Sequence, residues 1–284
     1  MVQPLVSIII PTLNSEATLG RCLQSIKNQA YPSIETLIID NYSIDSTIKT
    51  ASNFNAKVRL KRCGRSEARN FGAAKANGLF VLFVDSDQEL TSGAVGECVE
   101  TCLTEHAEAA IIPEKPLTRG FLSECRKIEK GMHAGEKLFE APRFFKKDVF
   151  CKLEGYDAKL TFGEDSDLSM RMEKAGLKTC RIKSEILHYE KDLSIKGIVL
   201  KAHYYGRSLL PLIRKNPSLT IEIHFPTLKK IWNSLKVLHR DPIHAMGLAF
   251  IKTAEYEAYL SGTLTYFLEN KRQDGSRALD ASTC

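Results

Sequence analysis

Short apolar runs rich in β-branched residues alternate with helical patterns through the first half of the chain, and this alternation restricts the fold more than any other feature. "LVSIII" (5–10) precedes a helical stretch from Glu16 to Asn28, and "ETLIID" (35–40) precedes a second helix beyond "NYSIDST". "VRL" (58–60) leads into "GRSEARNFGAAKANG", and "LFVLFV" (79–84) runs up to Asp85. Strands alternating with helices predict an α/β fold with a mostly parallel sheet covered by helices. In open α/β sheets ligands bind beyond the carboxyl ends of the strands, so the segments after residues 10, 40 and 84 are the places to look. The first of these reads "PTLNSE" and holds no glycine, which argues against a Gly-x-Gly-x-x-Gly dinucleotide site and a nicotinamide dehydrogenase.

The 284 residues suffice for one large domain or a domain with an appendage, and 43% hydrophobic and 26% charged residues are globular values. The eight cysteines are scattered, with no Cys-x-x-Cys pair, as expected of reduced thiols rather than a disulfide framework or zinc site. "MVQPLVSIIIPT" has no basic leader, and no window reaches the roughly 18 uncharged apolar residues of a membrane span. The chain therefore reads as cytoplasmic. From about Leu193 the texture becomes helical. "IKGIVLKAHYYGRSLL" carries a stripe at 198, 202, 205, 209 and 213 with a stop or kink expected at Pro211, and the tail from Lys271 reads as frayed. Residues from 190 onward hold 14 Lys and Arg against nine Asp and Glu, which points to an anionic partner surface for that third.

"VDSD" sets Asp85 and Asp87 one residue apart at the end of an apolar run, where they repel unless a positive group lies between them. An acidic turn and a cation site are the two readings. Four further elements stand in order around the pair: "PTLNSE", "IIDNYSIDST", "EARNFG", and downstream "GYDAKLTFGEDSDLSMR". This ordered set, over roughly residues 5 to 190, resembles the family 2 glycosyltransferases, inverting enzymes of GT-A fold that use nucleotide-sugar donors.

The resemblance implies a site residue by residue. Pro11, Thr12, Asn14, Glu16 and Asp40 line the nucleotide pocket, and Arg69, Asp85, Ser86 and Glu164 complete the donor site. Asp85, Asp87 and His188 hold a divalent metal, Mn²⁺ ahead of Mg²⁺ because an imidazole joins the carboxylates. Asp165 is the catalytic base that deprotonates the acceptor hydroxyl. Local readings compete at each position. "NSE" is also a helix-capping stretch, Arg69 an exposed helix arginine, and His188 a structural histidine at a strand end. Acidic residues at 164, 165 and 167 favour a helix N-terminus in any case; capping and an i,i+4 pair with Arg171 are expected of Asp167. Where relatives often read Asp-Asp-Gly-Ser, this chain reads Asp40-Asn41-Tyr42-Ser43.

The expected organisation is a GT-A catalytic domain (1–190) and a helical C-terminal extension (191–284). The expected reaction moves a sugar from a nucleotide-diphosphate donor to a hydroxyl acceptor, a lipid-linked glycan or polysaccharide. A polyprenyl phosphate acceptor is the alternative, and a non-catalytic adaptor on a transferase scaffold is a second rival. A nucleotidyltransferase would carry a glycine-rich basic loop where "PTLNSE" stands. The segment 226–240, with the only tryptophan and four basic residues, reads either as a peripheral membrane helix or as one packed on the catalytic domain or a homodimer partner. Nucleic acid is not an expected partner.

Overall fold

A computed structural model describes residues 3–117, 120–133, 140–189, 194–224 and 239–281. The elements run β1 (Val6–Thr12), α1 (Glu16–Lys27), β2 (Ile34–Asp40), α2 (Thr47–Asn53), β3 (Lys57–Leu60), α3 (Arg65–Lys75) and β4 (Phe80–Phe83). Then follow β5 (Gln88–Leu90), α4 (Ala94–Thr104), β6 (Ala109–Ile111), β7 (Glu114–Pro116), α5 (Phe121–His133), β8 (Phe144–Lys146), α6 (Lys147–Lys152) and α7 (Glu164–Lys174). The chain continues through β9 (Thr179–Arg181), β10 (Ile186–His188), α8 (Ile195–Gly206), α9 (Leu209–Lys215), α10 (Pro217–His224) and α11 (Pro242–Ala281).

The chain divides into two compact units. The first comprises 1–118, 135–158 and 164–191, and the second comprises 119–134, 159–163 and 192–284. Thus α5 and 159–163 group with the C-terminal helices, although they precede residue 190 in sequence.

The first unit is built on a seven-stranded sheet of order β3-β2-β1-β4-β8-β6-β9. Strand β8 alone runs against its neighbours; β3, β2, β1 and β4 are mutually parallel, as are β6 and β9. Alternate residues of each strand feed two cores. Ile8, Ile10, Ile38, Leu82 and Phe144 face the cluster with Leu19, Leu23, Val95 and Val99 from α1 and α4. Ile9, Ile39, Val81, Phe83 and Phe145 face the cluster with Ala68, Ala73, Phe150, Leu168 and Met172. Burial on both faces is why these strands read as unbroken apolar runs. Each of the Ile, Leu, Val, Phe and Met side chains adds about 1.5–3 kcal/mol by leaving water. Helix α3 lies so close to β1 that a Cβ at Gly72 would stand 2.4 Å from Ile9 Cγ2. A second sheet, of order β5-β10-β7, gathers three strands of three residues each from distant parts of the chain.

In the second unit α11 packs along α8 and α5. A Cβ at Gly206 would meet the Tyr259 carbonyl oxygen at 1.9 Å, and one at Gly262 would meet that of His203 at 1.9 Å. Arg126 and Lys252 share Glu129 and Glu255, stitching α5 to α11. The expected interruption falls elsewhere than at Pro211. Helix α8 ends at Gly206, and Pro211 sits in the first turn of α9, where a missing N–H costs no helical bond. The expected fraying from Lys271 is likewise not seen, since α11 continues to Ala281. Most of the basic segment 226–240 lies outside the described residues. No helix among the described residues is long and apolar enough to cross a membrane.

Candidate active site

The turns after β1 and β2 are tied into one surface at the carboxyl ends of these parallel strands. Pro11 and Thr12 close β1 opposite Ile39 and Asp40. Asp40 is fully buried; Thr12 Oγ1 donates to its Oδ2 at 2.7 Å, and Ser43 donates through its backbone N (2.8 Å) and Oγ (2.6 Å). Asn14, in the left-handed region at φ 49°, donates its N–H to Ser43 Oγ and accepts from the Ile44 N–H at 3.0 Å. Asparagine tolerates this conformation better than most residues. Glu16 opens α1 and accepts from the Ser46 N–H at 2.9 Å, while its own N–H donates to Asp45. Ser15 stands at the N-cap of α1 without a side-chain capping hydrogen bond; the Asn14 and Glu16 side chains instead hold the two turns together beside the buried Asp40. Ser86 joins through Oγ, 3.0 Å from Ser15 Oγ.

A charge network lies beyond β4. Arg69, on the face of α3 turned inward, is 4% exposed rather than solvent-facing. Its Nη2 lies 2.5 Å from Asp85 Oδ1, and its Nη1 lies 3.5 Å from Glu164 Oε1. Arg65 Nη2 reaches the same Glu164 oxygen at 2.8 Å. Arg143, just before β8, places Nη1 3.3 Å from Asp85 Oδ2 and Nη2 3.2 Å from Glu114. Burial opposes ionisation of Asp85, but the guanidiniums of Arg69 and Arg143 hold its carboxyl well below the usual range. Glu164 moves the other way: burial, then the neighbouring Asp165 charge, push it upward against the pull of Arg65 and Arg69.

Asp165 follows Glu164 in the first turn of α7 and is exposed, close enough for its charge to act on Arg143 and Tyr156. Asp167 is buried and pairs with Arg171 at 2.9 Å, the i,i+4 pair expected of it. Arg171, in the last turn of α7, in turn donates to the carbonyls of Leu153 and Gly155 and fixes the helix to the loop after α6.

The second sheet delivers the remaining acids. Asp87 precedes β5, His188 ends β10 and Glu114 begins β7. His188 Nε2 is 3.4 Å from Asp87 Oδ2, and its Nδ1 is 2.5 Å from Glu114 Oε1. Burial disfavours the charged ring, yet the hydrogen bonds to Asp87 and Glu114 outweigh it and push the pKa up to about 9. A carboxylate on Nδ1 orients an imidazole so that Nε2 faces outward as a ligand. Asp87 and His188 thus fit a divalent cation as a pair, with Glu114 behind them. Each Asp85 oxygen faces a guanidinium, that of Arg69 or that of Arg143. Among the described residues no group of three or more ligating side chains that could hold a metal ion arises.

Two buried donors lie in this region without a hydrogen-bond partner, Arg69 Nε and Gln88 Nε2. Gln88 uses its other terminus to accept from the Asp85 N–H at 2.9 Å. Arg65, Arg143, Glu114 and Tyr156 were not legible as site residues from the sequence; no motif marks Glu114 or Arg143, and only their positions in space unite them with Asp85 and His188.

Residues 7–146 match the family model described as Glycosyl transferase family 2. The GalNAc(5)-diNAcBac-PP-undecaprenol beta-1,3-glucosyltransferase of Campylobacter jejuni is 32% identical over 154 residues, 50% of this chain and 49% of that protein. The chain spans about half the length of the curated relatives it matches. Among solved structures, S. aureus TarS 1-349 in complex with UDP-GlcNAc superposes with a TM-score of 0.55 at 17% identity, covering 93% of this chain and 92% of that one. Mannosyltransferase PcManGT from Pyrobaculum calidifontis, in complex with GDP-Man and Mn2+, gives 0.59 at 17% identity over 94% and 86%. These likenesses identify the seven-stranded unit and its helices as a GT-A fold. Residues 7–146 of the chain belong to glycosyl transferase family 2.

Proposed function

We propose that the chain is an inverting glycosyltransferase that moves a sugar from a nucleotide-diphosphate donor to an acceptor hydroxyl. The observation that carries this reading is the meeting of two acid sets in one unit. Asp85 and Glu164 are bridged by Arg69, and Asp87 is joined to His188 in front of Glu114. The loops built around Asp40 and Asn14 are the place for the nucleoside. Donor and metal follow the complexes of similar fold, one with UDP-GlcNAc and one with GDP-Man and Mn²⁺.

The residues divide the work. Arg69 bridges Asp85 and Glu164 and so fixes the two acids relative to each other. Asp87 and His188 would hold a divalent cation, with Mn²⁺ preferred for the imidazole; when bound, it supplies Lewis-acid stabilisation of the departing diphosphate. Asp165, exposed at the head of α7, accepts the proton of the acceptor hydroxyl as that oxygen attacks the anomeric carbon from the face opposite the leaving group. Glu164, held by Arg65 and Arg69, anchors the helix turn that presents Asp165.

A hydroxyl acceptor suits this base better than a polyprenyl phosphate, which arrives already ionised. The C. jejuni relative, named for an undecaprenol-linked glycan, supports a lipid-linked glycan or polysaccharide as acceptor. A thermal-shift and hydrolysis panel of UDP- and GDP-sugars, with Mn²⁺, Mg²⁺ or chelator, tests the reading. One donor stabilising the protein only with metal, by mass action, supports it; no response to any common donor defeats it.

A further inference from the structure

We infer that α11 pairs antiparallel with α11 of a second copy of this chain, about a two-fold axis beside residue 255. Helix α11 is apolar on two sides. Ile251, Ala258 and Gly262 are buried against the rest of the second unit. On the opposite side Ile243 (69% exposed), Met246 (68%), Phe250 (63%), Leu260 (62%), Leu264 (57%) and Phe267 (40%) face outward. A helix apolar all round is one that something covers.

The spacing says what kind of cover. Ile243, Met246, Phe250, Thr253, Glu257, Leu260, Leu264 and Phe267 alternate steps of three and four, the a/d spacing of a helix–helix seam, and all are exposed. The stripe runs about 38 Å at 1.5 Å per residue. Ala249, Ala254 and Ser261 flank it and permit close approach of a second helix.

The order of residues says which helix. Read from its middle, the stripe is matched with its own reverse: Ile243 opposes Phe267, Met246 opposes Leu264, Phe250 opposes Leu260, and Thr253 opposes Glu257. In an antiparallel pair an a position faces a d position throughout, the Thr253 hydroxyl can donate to Glu257 of the other copy, and every remaining layer is apolar. A parallel pair would set Glu257 against Glu257, a like-charge contact in an apolar seam. Sliding the antiparallel pair by one heptad would leave Glu257 opposite Met246 or Leu260, a carboxylate with no partner. One polar layer thus specifies orientation and register, as buried polar positions do in coiled coils. A lipid surface fits less well. Interfacial helices flank their apolar face with Lys and Arg, whereas Glu257 is the one charged residue among the exposed positions from 242 to 268, and Lys252 is tied to Glu129 and Glu255.

The full chain should sediment at micromolar concentration as a species of twice 31.8 kDa. Phe250→Asp and Leu260→Asp alter side chains exposed in the single chain, so the fold should persist by circular dichroism while self-association weakens by at least about 30-fold. Mixing Thr253→Cys chains with Glu257→Cys chains under oxidation should give a dimer cross-linked between 253 and 257, mapped by mass spectrometry. A wild-type monomer, a dimer indifferent to both aspartates, or a 253–253 or 257–257 cross-link would each overturn the pairing. So would a monomer that binds anionic vesicles and loses that binding with Phe250→Asp.

Discussion

Nη2 of Arg69 lies 2.5 Å from Oδ1 of Asp85, which offsets the charge of one member of the Asp85-x-Asp87 pair. Arg69 is almost wholly buried and also reaches Glu164, so two carboxylates depend on one guanidinium. Removing one partner of a buried ion pair costs about 3–5 kcal/mol. Arg69→Ala should therefore lower the melting temperature by on the order of 10 °C for a domain of this size. Arg69→Lys should restore little of it, because an ammonium lacks the fork that spans both acids. Thermal unfolding of the two variants beside wild type checks this; a lysine variant as stable as wild type would show that the bridge contributes no more than charge.

Asp165 is exposed at the head of α7, so it can change without loss of packing. Asp165→Asn should reduce transfer by about 10²–10⁴-fold, the usual contribution of a general base, with donor-induced thermal stabilisation kept. Initial rates and thermal shifts on one preparation separate the two effects. An unchanged transfer rate would remove Asp165 from the chemistry, and full biological function without transfer would favour an adaptor.

Much of this site was legible because its parts obey local rules. The apolar runs of β1, β2 and β4 announced buried strands, and Asp40, Asp85 and Glu164 stand where parallel strands end or a helix begins. The inward turn of Arg69 was not legible, since α3 carries charged residues on both flanks and only packing on β1, forced close by Gly72, decides which one is enclosed. Glu114 was hidden for a different reason. Strands β5, β10 and β7 are three residues long and come from three distant regions, so no periodicity foretells their sheet. Pro211 misled because a proline is neutral in the first turn of a helix and disruptive only beyond it.

Glu114 touches His188 Nδ1 and Arg143. In the proposed metal site it stands behind the His188 imidazole, so its loss should weaken activation by metal about 10–100-fold. Glu114→Gln should therefore raise the Mn²⁺ concentration needed for half-maximal rate while leaving the rate at saturating Mn²⁺ near wild type. Titration of rate against Mn²⁺ reads this directly. A fall in the saturating rate with an unshifted midpoint would place Glu114 elsewhere in the mechanism.

Tyr42 adopts φ 57°, at the position where relatives often carry glycine, and its ring lies under Arg62 at 5.4 Å. Left-handed backbone costs a residue with a side chain about 1–2 kcal/mol, and an exposed cation–π contact returns about 0.5–1 kcal/mol. Tyr42→Gly should thus be neutral to stabilising by about 1 kcal/mol, whereas Tyr42→Ile, β-branched and without the ring contact, should destabilise. Urea unfolding of both variants tests the sign; equal losses in both would mean that the ring contact outweighs the strain.

Glu35 makes the fold sensitive to acid. Ser7 Oγ and the Asn77 N–H donate to its Oε1, each at 2.6 Å, while Lys57 Nζ (2.9 Å) and Asn77 Nδ2 (3.1 Å) reach Oε2. Four donors around one carboxylate tie β1 and β2 to the turn before β4. Burial alone would raise the Glu35 pKa, but these hydrogen bonds dominate and lower it to about 2. Because the folded value lies below the unfolded value of about 4.3, the stabilisation is present above that pH and is lost as pH falls toward 2. Glu35→Gln replaces one acceptor oxygen by a donor group facing donors, which should cost about 1–3 kcal/mol at pH 7. The difference between wild type and variant should shrink progressively between about pH 5 and pH 2. Urea unfolding at stepped pH measures it, and a gap that stays constant down to pH 2 would mean that the neutral acid is held as well as the carboxylate.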